Sequence, residues 1–360
     1  MIALALSGGG SRAIAFHLGC FRALNNSGVL QKTAVISAVS GGSVIAAMYS
    51  NWDDSFNEFD HRVQDMLRHG LLKGILRHFI FSPKLLTDVL LTNLISRPVA
   101  FVAMLFRQQP PFRRWASRTD ALEAALRDLF GSMTIGQVKR PNLDVILNAC
   151  ELRTGTAFRF GNKRSGSWRF GEIKDNNIPV AHAVACSAAH PLFFPAFDRE
   201  YSFSKGRERT IITDGGVYDN LGLSCLEPGR NQTYTLHVYN PDYIICCDAG
   251  YGQFSGKKIP YGFISRTNAA FGSIFRKNQD SSYKRLHLYK EMGLIKGFVL
   301  PYLGQIDTAL PFQPPDLVRR EDIFDYPTDF SSMHEKDIDL LARRGEQLTR
   351  ILLSYYCPNI

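Results

Sequence analysis

Residues 1–19 read MIALALSGGGSRAIAFHLG, and the way this stretch folds decides how the rest is read. Residues 2–6 form a continuous apolar run that stops at a turn signal, the pattern of a strand buried on both faces. Residues 13–24 suit a helix. Gly8, Gly9 and Gly10 therefore stand at a strand-to-helix turn. Lacking Cβ, they allow positive φ and let several backbone N–H groups face one small space, which at a helix N-terminus attracts negative charge. That charge is either a bound phosphate or one that forms during a reaction.

The phosphate reading can be tested. Gly8-x-Gly10-x-x-Ala13 fits the outline of a dinucleotide fingerprint, which also needs an acidic residue about 20 positions later, at the end of the second strand. The first acidic residue is Asp53, and the second apolar strand runs into Ser40 instead. No GxxxxGK[ST] occurs either, so no nucleotide cofactor is expected.

The 360 residues are enough for one large α/β domain, and 45% hydrophobic with 21% charged content is that of a globular protein. Seven cysteines lie mostly in apolar runs without CxxC spacing, which points to buried free thiols. The N-terminus lacks a cationic segment before an apolar one, so export by a cleaved signal is not expected. The net charge is +9, and residues 61–115 carry +7 of it, with nine Lys/Arg against Asp65 and Asp88. The same block is aliphatic (LLKGILRHFIF, KLLTDVLLTNLI, VAFVAMLF). Pro83, Asp88, Arg97 and Pro98 interrupt it before it reaches the roughly 18 consecutive apolar residues of a spanning helix. Two readings stay open: a packed helical subdomain with solvated arginines, or a cap lying on an anionic bilayer. Nucleic acid is not expected, because aromatic stacking platforms are absent from this block.

Along the chain, a second apolar run at residues 34–39 and a helix at 44–49 complete β–α–β–α, which implies a parallel pair. Ser82-Pro83 reads as a helix cap and first position, residues 108–111 as a break, and 119–130 as an amphipathic helix. NLDVILNACEL and TAFRFG read as a hairpin, and AHAVACSAAHPLFFPAF as helical. RTIITDGG, YIICCDAG and KGFVLPYL read as further strands, and the tail as an amphipathic helix with a capping box at Ser332-x-x-Glu335. One domain over residues 1–360 follows, an α/β/α sandwich with a mostly parallel sheet, a basic helical insertion at 53–118 and a docked C-terminal helix within 325–360.

Ser40 ends a buried strand on a glycine turn before a helix, the setting of a nucleophile elbow, with Ala38 replacing the usual first glycine. Gly8, Gly9 and Gly10 can supply oxyanion donors from the neighbouring strand at the same carboxyl edge. Asp214, before Gly215 and Gly216, is the candidate base, and Asp248 in IICCDAG its rival. His237, His287 and His334 follow Asp214 without a strand-end setting, and the role of His190 stays open.

SGGGSR, the serine of SGGS, ACSAAHPLFFPAF and the later DGG together resemble the patatin-like phospholipases, across residues 1–50 and 140–250. The resemblance implies a Ser40–Asp214 dyad with no histidine, an oxyanion hole of Gly8, Gly9 and Gly10, and Arg12 at the family's basic position. Ala38 and Ala13 depart from the pattern and bear on the tightness of the two turns. The expected function is hydrolysis of phospholipid acyl esters through an acyl-enzyme, without metal or other cofactor. The alternatives are a soluble esterase or thioesterase with the same dyad, or an effector activated by a partner. The expected location is cytoplasmic, at the inner face of the membrane, with contact through residues 61–115; oligomeric state is not legible.

Overall fold

The computed structural model describes residues 1–250, 256, 259–323 and 326–360. Its centre is a mixed sheet. The apolar runs that open the chain become β1 (Ile2–Leu6) and β2 (Thr33–Val39), which pair in parallel with Leu6 opposite Ala38. Between them α1 (Gly10–Asn26) begins directly at the glycine turn, and α2 (Gly41–Ser50) follows β2 in the same way. The first strands are buried end to end because helices cover both faces of the sheet.

After α2 come α3 (Phe56–His69), α4 (Leu72–Phe81), α5 (Pro83–Leu91), α6 (Arg97–Leu105) and α7 (Arg118–Phe130). α3 is fixed at its start by a capping box between Ser55 and Glu58, and its Phe59 packs on Phe21 and Tyr49 in the main core. α5 reaches that core only through Leu85 and Val89, and α6 buries no residue.

Pro83 occupies the first position of α5 under a Ser82 cap, as expected. The other interruptions behave differently. A π-helical turn, Thr92–Ser96, joins α5 to α6 and widens the backbone just before Pro98, so the proline ring is accommodated and the helix continues. Pro83–Leu105 is therefore one element of 23 residues, long and apolar enough by length and composition to cross a bilayer. Only 11% of its most apolar stretch is buried. This corrects the expectation that no such helix forms.

The chain returns to the sheet with β3 (Asp144–Glu151) and turns back through Thr154-Gly155 into β4 (Thr156–Gly161), followed by β5 (Ser165–Ser167) and β6 (Gly171–Glu172). The stretch expected to be helical up to Phe197 is helical only in α8 (Val180–Ser187). Beyond a turn at Pro191, β7 (Phe197–Phe203) forms a hairpin with β8 (Gly206–Asp214), and α9 (Gly216–Asp219) follows. β9 (Tyr243–Cys247), α10 (Phe263–Glu291), β10 (Gly297–Val299) and α11 (Glu335–Tyr356) complete the fold.

The order β10-β9-β1-β2-β3 is parallel, and β4, β5 and β6 extend it antiparallel. The tail helix starts later than its sequence suggests: His334 is the N-cap and no side chain caps it. Residues 330–333 instead run extended against the loop after α3, with Leu71 and Leu72 N–H on the Phe330 carbonyl and Met333 N–H on the Leu67 carbonyl. The Glu335 carboxylate, free of a capping role, accepts from Arg68 at 3.0 Å.

Candidate active site

The register of β3 places the site. On one of its edges β2 pairs residues 144–148, ending with Val39 opposite Asn148. At the next residue β8 takes over the same edge from the opposite direction, with Asp214 opposite Ala149. Two strands thus run head-on into each other, and the residue after Val39 meets the last residue of β8. That junction holds Ser40 and Asp214. The expectation that Asp214 ends a strand at this edge agrees with the structure, but the strand is antiparallel and overlaps β3 by only three residues.

Ser40 has φ 52 and ψ −119, a conformation that costs a non-glycine residue on the order of 1–3 kcal/mol and persists only when its surroundings hold it. Its N–H donates to the Ser187 hydroxyl at 3.0 Å, and its carbonyl accepts from Ser43 and Val44 as α2 begins. The Ser187 hydroxyl in turn donates to the Asn148 carbonyl at 2.6 Å and touches the Ser43 hydroxyl at 2.8 Å. The same short segment braces the other half of the pair: Gly215 N–H donates to the Ser187 carbonyl, and Asp214 N–H to the Ala189 carbonyl. Ser187 lies in ACSAAHP, a stretch noticed in the sequence but with no role derivable from it.

Asp214 is buried. Its Oδ1 accepts the Gly216 N–H at 2.6 Å, while the buried Oδ2 has no hydrogen-bond partner among the described residues. Burial pushes its pKa up to about 7, against the Gly216 N–H and the nearby Ser40 hydroxyl, which favour the anion. A carboxylate in this condition exchanges protons near neutrality, as a general base must.

The glycine turn lies against the same junction. Gly10 has φ 60, and a Cβ there would sit 2.2 Å from the Asp329 carbonyl oxygen; a Cβ on Gly41 would sit 2.4 Å from the Gly10 oxygen. The two strand-to-helix turns pack backbone on backbone, which only glycine allows. Of the three glycines, Gly8 donates its N–H to the Asn220 carbonyl at 3.1 Å, so it is not an open donor. Gly9 and Gly10 N–H have no acceptor among the described residues. Arg12 lines the same cavity as the glycines and Ser40. It is buried, with Nε on the Ala249 carbonyl at 3.0 Å and Nη1 on the Tyr326 carbonyl and the Thr328 hydroxyl, so these donors tie two loops together beside the site.

The rival base is committed elsewhere: Asp248 is fully buried and accepts from the Tyr283 hydroxyl, Gln279 and Gly250 N–H, anchoring α10. His237 is buried on the Arg164 carbonyl, and desolvation brings its pKa down to about 3. His287 packs edge-on to Phe298, and His334 stands at the N-cap position of α11. His190 does reach the site. Its ring packs at a tilt against Phe193, burial lowers its proton affinity, and its buried Nδ1 has no partner among the described residues.

Ser40, Asp214, Gly9, Gly10 and His190 line one cavity of about 620 Å³. Its further walls are mostly apolar: Leu72 and Ile75 of α4, Leu192, Phe193, and Phe271 and Phe275 of α10.

Comparison with known proteins agrees with this architecture. The model of the patatin-like phospholipase family matches residues 4–224, and the chain belongs to that family. No curated protein matches it significantly in sequence. Among solved structures, human GIVD cytosolic phospholipase A2 is similar in fold, at 13% identity and TM-score 0.56 over 98% of this chain and 58% of that one. The same human enzyme bound to methyl gamma-linolenyl fluorophosphonate gives 13% identity and TM-score 0.54, over 98% and 57%. VipD from Legionella pneumophila is 15% identical, over 98% of this chain and 66% of that one, at TM-score 0.42. The chain spans somewhat over half the length of the human enzyme.

Proposed function

We propose that the protein is a lipid acyl hydrolase of the phospholipase A type. The observation that carries this reading is the head-on junction of β2 and β8, which sets a strained serine beside a buried carboxyl with a raised proton affinity. Ser40 Oγ attacks the ester carbonyl as Asp214 Oδ2 takes its proton. The carbonyl oxygen becomes an oxyanion facing the Gly9 and Gly10 amides, and the alcohol leaves with a proton returned from Asp214. Water, deprotonated by the same carboxylate, then releases the fatty acid from Ser40.

Family membership supports a lipid ester as substrate, and the apolar walls of the cavity suit an acyl chain. The Pro83–Leu105 helix adds a route to that substrate. Leu90, Leu94, Phe101, Met104 and Leu105 are all more than half exposed, within the 61–115 block that carries most of the net positive charge. Arg97 at its middle suits a helix lying in the interface of an anionic bilayer better than one crossing it. In this reading the protein works at the inner face of the membrane.

The test is covalent labelling by a fluorophosphonate, with mass mapping of the labelled peptide and fatty-acid release from phospholipid vesicles. The expected result is a label on Ser40 and loss of both label and release in Ser40→Ala. A label elsewhere, or release unchanged in that variant, overturns the proposal.

A further inference from the structure

Read along the chain, the cysteines form no ligand set and call for no metal. Folding changes that. His17 and Cys20 lie one turn apart on α1, and β9 delivers Cys247 to the same place, so that a ring nitrogen of His17 and both sulfurs lie within 4.8 Å of one another. Three atoms so spaced have a common point no more than about 2.8 Å from each, and small shifts bring it to the metal–sulfur and metal–nitrogen distances of about 2.3 and 2.0–2.1 Å.

The histidine is prepared for such a role. Its Nε2 sits 3.0 Å from the Ser7 carbonyl, the outer contact by which a metal-binding imidazole is usually fixed in one tautomer. That leaves Nδ1 to offer the lone pair, and Nδ1 is buried with no partner, in a side chain of 0% exposure. The fully buried Thr349 hydroxyl of α11 is likewise without a hydrogen-bond partner among the described residues. Buried polar atoms without partners are few in a folded protein, and each marks a missing partner or a cost.

We propose that His17, Cys20 and Cys247 bind one thiophilic d10 metal ion, zinc(II) or copper(I). Two thiolates and an imidazole are the donors such ions select, and the thiol protons leave to solvent as the metal enters. The site is closed to water, so its role is to fix structure. It ties α1 to the end of β9 directly beneath the glycine turn, where Ser7 N–H already donates to the Cys247 carbonyl and Ala249 N–H to the Ser7 hydroxyl. The inference is independent of the proposed hydrolysis.

The test is elemental analysis of the full chain, purified without chelator from cells grown in medium supplemented with zinc or, separately, copper. The expected result is about one equivalent of one of the two metals, retained on dialysis against EDTA as in other closed sites. The metal is expected to fall to background in Cys20→Ser and Cys247→Ser, and to persist in Cys225→Ser, which alters a buried thiol elsewhere. Should the first two variants fail to fold, X-ray absorption at the metal edge of the unaltered protein decides, with two sulfurs and one nitrogen expected. Absence of both metals from the unaltered protein, retention of metal in folded Cys20→Ser and Cys247→Ser, a coordination shell without two sulfurs, or a Cys20–Cys247 disulfide in its mass map would each overturn the proposal.

Discussion

The Ser187 hydroxyl accepts the backbone N–H of Ser40 at 3.0 Å while donating to the Asn148 carbonyl at 2.6 Å. It is thus the clamp on a backbone conformation that a serine would not adopt unaided. Ser187→Ala removes the acceptor and leaves the Ser40 N–H buried and unpaired, at a cost of about 1–3 kcal/mol. Turnover and fluorophosphonate labelling are expected to fall on the order of 100-fold, with KM nearly unchanged, because the nucleophile is misplaced rather than removed. Ser187→Thr keeps the hydroxyl and is expected to recover most of the rate. Equal rates in all three proteins would show that the elbow holds itself.

The acidity of Asp214 sets two pH dependences of opposite sense. As a base it must be ionised, so kcat is expected to rise about tenfold per pH unit below about 6 and to level off above about 8. Stability runs the other way. The unfolded carboxyl ionises near 3.9 and the folded one near 7, so below about 4 there is no penalty, and the penalty grows as pH rises and is complete above the folded value. Asp214→Asn is therefore expected to lose activity by about 10²–10⁴-fold and yet to unfold at higher temperature at pH 8.5, with a gain of up to about 4 kcal/mol. Thermal unfolding at pH 5 and 8.5 checks the sign: the gain belongs to the higher pH.

Gly10 and Gly155 share a positive φ but not their surroundings. A Cβ on Gly10 would meet the Asp329 carbonyl oxygen at 2.2 Å, whereas one on Gly155 would meet nothing within 4 Å. Gly155→Ala is expected to cost only the conformational penalty of about 1–2 kcal/mol and to leave turnover intact. Gly10→Ala adds displacement of the 329 loop and of the turn that carries the open amides. Chemical denaturation together with labelling kinetics separates the two, and equal losses would argue against close packing at Gly10.

The helical arm offers a different separation. Neutralising Lys84, Arg107 and Arg113 is expected to weaken binding to anionic vesicles about 100-fold, at roughly 1 kcal/mol per charge. Leu90→Glu with Phe101→Glu is expected to weaken it further, since both side chains are exposed. Hydrolysis of a small monomeric ester is expected to stay unchanged in every case. Parallel loss of both activities would assign the arm to the catalytic body.

Much of this site was legible in the sequence because it is built from local signals. A buried apolar run, a glycine turn and a helix repeat at Gly8–Gly10 and at Ser40, and the parallel pairing of β1 and β2 follows from them. What was not legible depends on pairing partners and local backbone adjustment. The direction of β8 is set by its hairpin with β7, a strand that begins at Phe197, where the stretch that reads as helical ends. The length of the arm helix turns on a π-helical turn that absorbs Pro98, and no periodicity announces it. Arg12 follows the glycines as an oxyanion ligand would, yet its Nε and Nη1 are claimed by carbonyls from the far end of the chain.

The meeting of β2 and β8 end to end also bears on how the two groups are held together. The strand leading to the serine is embedded among parallel neighbours, but the one carrying its carboxyl meets β3 over three residues only, at the open end of its hairpin with β7, where Asp214 N–H and Gly215 N–H are held by the Ala189 and Ser187 carbonyls. The proposed dyad therefore depends on a short stretch of pairing and on the segment after α8 that braces it, and a movement far smaller than unfolding is enough to part its two groups.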